Sequence, residues 1–262
     1  VHMCGGVPIP VPTYQKDDFA LDVNEIENRI TSKTRMFVMV SPNNPTGAVT
    51  PPAVIRKIAE LAIKHDILVI ADEIYAKLIY PPHEHLSLAT LPGMKERTIT
   101  LNGFSKTYAM TGWRVGYMAA PADFVEKLTE PRHTLSINTC TVSQFAALAA
   151  LTGPQDEMEA TFRDYAERRD YLMGALTDAG LSYGPPGGAF YIYTNISTTG
   201  MKAKPFCENL LRETGVMVFP GDMFGEENSD FIRISYLQPL PIIKEAMGRI
   251  NGFIKAHKDG AA

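Results

Sequence analysis

Little in this chain points toward a polyanion, a bilayer or an oxidising compartment. Its three cysteines, Cys4, Cys140 and Cys207, are far apart and odd in number. They supply neither a disulfide framework nor metal-ligand spacing, and read as reduced thiols of a cytosolic protein. Basic residues are not in excess. The 262 residues carry a net charge of −4, which leaves no footprint for nucleic acid and no polybasic run for a membrane surface. No apolar stretch approaches the length that spans a bilayer. A Walker loop, a nucleophile elbow and a zinc cluster are all missing, and so are repeats and low-complexity tracts. The chain opens on Val1, His2 and Met3 rather than on a charged leader, so no secretory signal is visible. That opening reads like the interior of a chain entering a strand. What is left is the composition of an ordinary soluble globular protein, long enough for one large domain or two moderate ones.

The apolar pattern supplies an architecture. Between Pro52 and His65, residues Val54, Ile55, Ile58, Leu61 and Ala62 recur at helical spacing. An unbroken apolar run of strand length follows at Ile67–Ala71. Met36–Val40 and Thr98–Leu101 repeat that cadence, and Arg114–Met118 does so less cleanly. Runs of this kind belong to strands buried on both faces of a parallel sheet. The expected class is therefore α/β, with a mostly parallel central sheet covered by helices. Beyond Pro121 the chain turns mainly helical. A turn cluster at 184–188 then leads into strands at Ala189–Tyr193, Val216–Phe219 and Phe231–Ser235, with helices near Pro205–Thr214 and Pro241–Lys255. This second half predicts a smaller α+β domain at 171–262, after a large domain at 1–170.

Ligands of such sheets sit beyond the carboxyl ends of the strands, and polar motifs gather there. Ser41 to Gly47 (Ser-Pro-Asn-Asn-Pro-Thr-Gly) follows the first run, Asp72 to Tyr75 the second, and Asn102 to Arg114 the third. In the last of these, Lys106 lies in a Gly/Ser/Thr-rich turn with Arg114 eight residues on. An amine that can reach an aldehyde, near a cation that can grip a phosphate, suits a pyridoxal-phosphate site. A lone lysine of this kind could equally be a surface residue. Asp72, at the end of a buried strand, needs a cationic partner or a helix N-terminus to cap. Tyr75, three residues on, would share its face on a helix that Asp72 opens, or simply pack, and Glu73 should point elsewhere. Asn44 sits in a turn fixed by Pro45 and Gly47. Arg233, between Ile232 and Ile234 on a short strand, points to solvent or to a partner. His83 and His85 invite a metal reading, but no third ligand has suitable spacing, so a solvated loop and no metal are expected. Tyr183, Phe190 and Phe224 are pocket-side candidates for which core packing is the simpler account.

Taken together, these segments and Phe231–Ser235 resemble the class I/II aminotransferases, the aspartate-aminotransferase-like branch of fold-type I pyridoxal 5′-phosphate (PLP) enzymes. The resemblance runs from Val7 to about Ile254, and the wording of Met110–Tyr117 is nearest the aspartate/aromatic subgroup. It implies PLP as cofactor and Lys106 as the catalytic lysine, which forms the Schiff base and shuttles the proton. It gives Asp72 to the pyridine nitrogen, Tyr75 and Asn44 to the phenolic oxygen, Arg114 with Ser105 to the phosphate, and Arg233 to the substrate α-carboxylate. Gly103 departs from a common pattern in which a serine at that position touches the phosphate. The implied reaction is ping-pong transfer of an amino group from an L-amino acid, aspartate or aromatic, to a 2-oxo acid such as 2-oxoglutarate. A PLP-dependent lyase or synthase shares the same motifs, and a truncated, non-catalytic protein of this fold is a further alternative. Family members carry roughly a third more chain ahead of Val1, including a phosphate-binding turn. The complete protein is expected to be a cytoplasmic homodimer that binds neither nucleic acid nor membrane.

Overall fold

A computed structural model describes residues 1–259, and the chain forms two compact units. The first comprises Val1–Pro42 and Val49–Pro154, the second Asn43–Ala48 and Gln155 onward. The division expected at 170/171 falls inside a continuous helix that belongs whole to the second unit.

In the first unit, a short helix α1 (Val23–Arg29) precedes β1 (Met36–Val40), α2 (Pro52–Lys64), β2 (Leu68–Asp72), β3 (Thr98–Gly103) and β4 (Gly116–Ala119). The helices α3 (Ala122–Ser136) and α4 (Thr141–Thr152) complete it. The sheet order is β1-β2-β3-β4, with the first three strands parallel and β4 antiparallel. Helix α2 begins with proline at its first position, where the missing N–H costs no hydrogen bond. Its stripe of Ile55, Ile58, Ala59, Leu61 and Ala62 packs with Met39, Val69 and Ala71 of the strands and with Leu88, Leu91 and Met94. The predicted helix and parallel strands are thus present to within two residues at most ends.

The expected burial of the strands on both faces is met unevenly: Thr98 and Ile99, on opposite faces of β3, are both buried, but β1 falls short. Val69 and Ala71 are buried under α2, whereas Met36 and Val38 on the strand beside them are exposed. Among the described residues only one face of β1 is covered. At the other side of the sheet Gly103 pairs with Gly116. A Cβ on Gly103 would lie 3.1 Å from the Gly116 Cα and 3.3 Å from the Val115 carbonyl oxygen. A side chain at this position would need β4 to give by a few tenths of an ångström, so the close approach of β3 to β4 favours glycine here.

The second unit holds α5 (Asp156–Asp178), β5 (Ser182–Tyr183), β6 (Tyr191–Asn195), α6 (Ala203–Thr214), β7 (Phe219–Pro220), β8 (Phe231–Ser235) and α7 (Leu240–Asp259). Three acids in the first turn of α5, Asp156, Glu157 and Glu159, complement the positive end of its dipole. The sheet is antiparallel, in the order β5-β6-β8-β7. Alternation along its two long strands sorts the side chains. Ile192, Thr194, Ile232 and Ile234 are buried on one face, where α6 meets β8 and Phe206 of α6 packs edge-on against Phe253 of α7. Tyr191, Tyr193 and Arg233 take the other.

The loop Asn43–Ala48 belongs to this unit because it is stitched to the turn before β6. Gly47 adopts φ +73°, and its carbonyl accepts the Gly188 N–H at 2.9 Å. A Cβ there would come within 2.5 Å of the Pro186 Cβ and 2.9 Å of the Tyr191 carbonyl oxygen. Gly200 has nearly the same backbone, φ +74°, with open space around it. Gly47→Ala should therefore cost about 2–4 kcal/mol, left-handed strain plus overpacking. Gly200→Ala should cost about 1 kcal/mol, strain alone. Paired denaturant unfolding curves check the difference.

Candidate active site

In the first unit the candidate residues gather where β2 and β3 leave the sheet at its carboxyl edge. The two strands are parallel, with Asp72 in register with Leu101. Asp72 is half-buried, and its Oδ1 accepts the Ile74 N–H at 3.1 Å. The helix expected to carry Tyr75 is instead a turn, closed by Ala76 N–H to the Glu73 carbonyl (2.9 Å) and Leu78 N–H to the Tyr75 carbonyl (2.8 Å). These i→i+3 bonds end the segment after one turn. Tyr75 is buried.

Lys106 lies three residues past the end of β3, in a turn closed by Tyr108 N–H to the Phe104 carbonyl at 3.2 Å. Aromatic packing anchors that turn: Phe104 stacks on Tyr108 and meets Tyr117 edge-on, at 5.8 and 6.0 Å between centroids. Lys106 and Ser105 are half-buried and Thr107 is buried. The short strands thus bring Asp72, Ser105 and Lys106 to the carboxyl edge of one sheet. Arg114 behaves differently. It adopts φ +51° and lies exposed, its Nη1 donating to the Thr111 carbonyl at 3.0 Å. The guanidinium is held by its own turn.

In the second unit, Arg233 of β8 projects from the face of the sheet opposite Ile232 and Ile234. Its guanidinium lies over the rings of Tyr191, Phe219 and Phe224, at 4.5, 4.9 and 4.9 Å from their centroids. Nη1 donates to the Asn44 Oδ1 at 2.7 Å, while the buried Nε has no hydrogen-bond partner. Among the described residues no carboxylate pairs with this cation. Aromatic faces stabilise a guanidinium without using its donors. The result is a half-buried cation with a donor left over, suited to an anion that can accept a fork of hydrogen bonds.

Asn44 is itself held. The Asn43 Oδ1 accepts from the Thr46 N–H (3.3 Å) and Thr46 Oγ1 (3.0 Å), and the Gly47 N–H bonds the Asn43 carbonyl at 2.9 Å. Nearby, the Tyr193 hydroxyl donates to the Gly221 carbonyl at 3.2 Å, and burial pushes its pKa well above the usual phenol range. That phenol stays neutral.

Of the pocket-side aromatics, Phe190 is core and the Tyr183 hydroxyl donates to the Met173 carbonyl, but Phe224 stands against Arg233. Tyr191 and Phe219, absent from the sequence reading, join it. Alternation in Tyr191-Ile192-Tyr193 was the available signal for Tyr191. Phe219 needed the β7–β8 register, in which it pairs with Arg233. His83 and Glu84 are exposed, and among the described residues no three potential ligands form a metal cluster. His85 departs from the expected solvated loop: it is half-buried and bonded to Glu73.

Comparison with known proteins agrees with this geometry. Residues 1–250 match the family described as aminotransferase class I and II. The chain is 42% identical to aromatic-amino-acid aminotransferase 2 of Thermococcus litoralis, over 98% of its own length and 67% of that protein's. It is 40% identical to an aspartate aminotransferase of Pyrococcus abyssi, over 98% and 67%. The crystal structure of an aromatic aminotransferase from Pyrococcus horikoshii superposes with a TM-score of 0.92 at 41% identity, covering 96% of this chain and 68% of that one. The chain thus spans about two thirds of the length of these relatives. Parallel strands ending in Asp72 and the Lys106 turn, the Arg233 strand and these matches converge: the chain belongs to the class I and II aminotransferases, whose cofactor is pyridoxal 5′-phosphate.

Proposed function

We propose that these residues form the catalytic part of an aminotransferase that moves the amino group of an L-amino acid, of aspartate or aromatic type, to a 2-oxo acid such as 2-oxoglutarate. The observation that carries this reading is the delivery of a carboxylate, Asp72, and an amine, Lys106, by adjacent parallel strands. The donor set fits PLP: an anion for a ring nitrogen, an amine for an aldehyde, hydroxyl and amide donors for a phenolic oxygen. When bound, PLP supplies that aldehyde and a ring that accepts the electron pair left at Cα when its proton departs.

Each residue then has a task its chemistry suits. Lys106 Nζ would hold the cofactor by its aldehyde, and as a free amine it would move a proton at the amino acid's Cα. The Asp72 carboxylate keeps the ring nitrogen protonated by ion pairing. Tyr75 offers its hydroxyl to the phenolic oxygen. The bond from Arg233 commits the oxygen of the Asn44 amide, so the NH2 end is the one left to donate to that oxygen. Ser105 and Arg114 hold the phosphate, which requires the Arg114 side chain to exchange its bond to Thr111 for one to the anion. Arg233 receives the substrate α-carboxylate through its unused donors.

Both relatives and the solved structure named above are aminotransferases, so the lyase or synthase alternative is not favoured. Retention of Lys106, Asp72, Tyr75, Asn44 and Arg233 argues against a non-catalytic relic. We also infer assembly of the full chain as a homodimer and a cytoplasmic location. Among the described residues no helix is long and apolar enough to cross a membrane.

Two measurements check the assignments. In the PLP-loaded full chain, Lys106→Ala should lower the rate of amino transfer by about 10²–10⁴-fold, the range for loss of a positioned proton carrier; a rate within tenfold of wild type would refute the role. Arg233→Lys should lower kcat/KM for every amino-acid donor by roughly 10–150-fold, the equivalent of about 1.5–3 kcal/mol for a lost charged hydrogen bond. The loss should fall mainly on KM. An unchanged KM would place the α-carboxylate elsewhere.

A further inference from the structure

Glu73 follows Asp72 directly, and nothing in the proposed chemistry uses it. Its side chain is only 10% exposed. A carboxylate at that depth is costly unless its oxygens are satisfied, and here they are. Oε1 accepts the Ser87 hydroxyl at 2.8 Å, and Oε2 lies 3.0 Å from the His85 Nε2. Both partners come from the segment that returns past the sheet edge 12 and 14 residues later. Ser41, Asp72, Glu73 and His85 line the same small cavity, so His85 faces the same space as the ends of β1 and β2.

The backbone of Glu73 is equally committed. Its N–H donates to the Leu101 carbonyl of β3 at 2.9 Å, and its carbonyl accepts the Ala76 N–H that closes the Tyr75 turn. One residue before it, the Asp72 carbonyl accepts the Ser41 N–H at 3.2 Å. The link between Asp72 and Tyr75 is thus anchored to β3, to its own turn and, through the Glu73 side chain, to the 85–87 segment. A buried ionisable group seldom adds net stability over an apolar residue of the same volume. Its better-attested use is to select one arrangement, which here means the direction in which β2 hands Asp72 and Tyr75 to the ligand.

We propose that Glu73, His85 and Ser87 form a positioning clamp that sets Asp72 and Tyr75 for the cofactor ring, acting through hydrogen-bond geometry rather than through charge. The inference rests on the PLP reading above. Glu73→Gln separates geometry from charge, because an amide oxygen can still accept from Ser87 and its NH2 can donate to a neutral His85 Nε2. Glu73→Ala removes both bonds.

The test is a cofactor titration of the apo full chain with PLP, read by the absorbance of the bound cofactor and its pH titration, with apo melting temperatures alongside. Glu73→Ala should raise the PLP dissociation constant about 10–100-fold, the range for outer partners of ligating groups, and displace the absorbance titration. Glu73→Gln should stay within about threefold of wild type. Should Glu73→Ala fail to fold, Ser87→Ala and His85→Ala, which remove one bond each, should still raise the constant several-fold. A melting temperature that falls while the dissociation constant and the absorbance titration of these variants stay at wild-type values would overturn the clamp as a merely structural feature. A Gln variant as weak as the Ala variant would overturn its geometric basis. Failure of the wild-type chain to bind PLP at all would remove the underlying reading, an outcome distinct from either.

Discussion

Two parallel strands that run out toward one edge of the sheet are the constraint on which the proposed site in the first unit depends. With Asp72 in register with Leu101, β2 and β3 release their chains at one edge of the sheet. Past Glu73, whose N–H still bonds the Leu101 carbonyl, and past Gly103, the last residue paired with β4, the ladder offers no further bonds. The released backbone must close on itself in turns or be tied down by side chains. Both solutions occur here. The Lys106 turn closes on the Phe104 carbonyl, and the Asp72–Tyr75 segment is tied by Glu73 to β3 and to the 85–87 segment. Below the edge, the stripe of α2 against Met39, Val69 and Ala71 keeps the strands aligned. Apolar packing thereby fixes where the polar groups emerge.

The second unit presents its cation by other means. Antiparallel pairing puts Tyr193, Arg233 and Phe219 across from one another on three strands, so they share a face. Helices claim the isoleucine face, leaving the guanidinium among rings rather than in the core. Rings hold a cation in place while leaving its donors unspent, whereas a carboxylate partner would consume them. The Asn44 bond adds direction. It comes from the loop 43–48, which Gly47 lets approach the turn before β6 closely enough to be held.

Much of this was legible in the sequence, because the informative patterns are local. Apolar runs marked β1, β2 and β3, helical spacing marked α2, and the motifs fell at strand ends. Features set by distant partners were not legible. Asp72 to Tyr75 looked like the start of a helix, but Glu73 is engaged 12 and 14 residues away and the segment stops after one turn. The same bonds draw His85 out of the solvated loop expected for it. Arg233 stood out as a charge among isoleucines, yet its neighbour Phe219 depends on a strand register with no local signature. The apolar runs of β1 and β2 predicted burial on both faces, whereas Met36 and Val38 lie open among the described residues. Run length reports hydrophobicity and cannot say which residues cover it. The unit boundary at Pro154 directly precedes the acidic start of α5.

The claim that β3 delivers the cofactor's lysine is tested most directly by chemical trapping. The full chain, loaded with PLP, is reduced with borohydride, digested and mapped by mass spectrometry. The account predicts one stoichiometric pyridoxyl adduct on Lys106, lost when substrate amino acid is added before reduction. A stoichiometric adduct on another lysine, or none with cofactor bound, would contradict it.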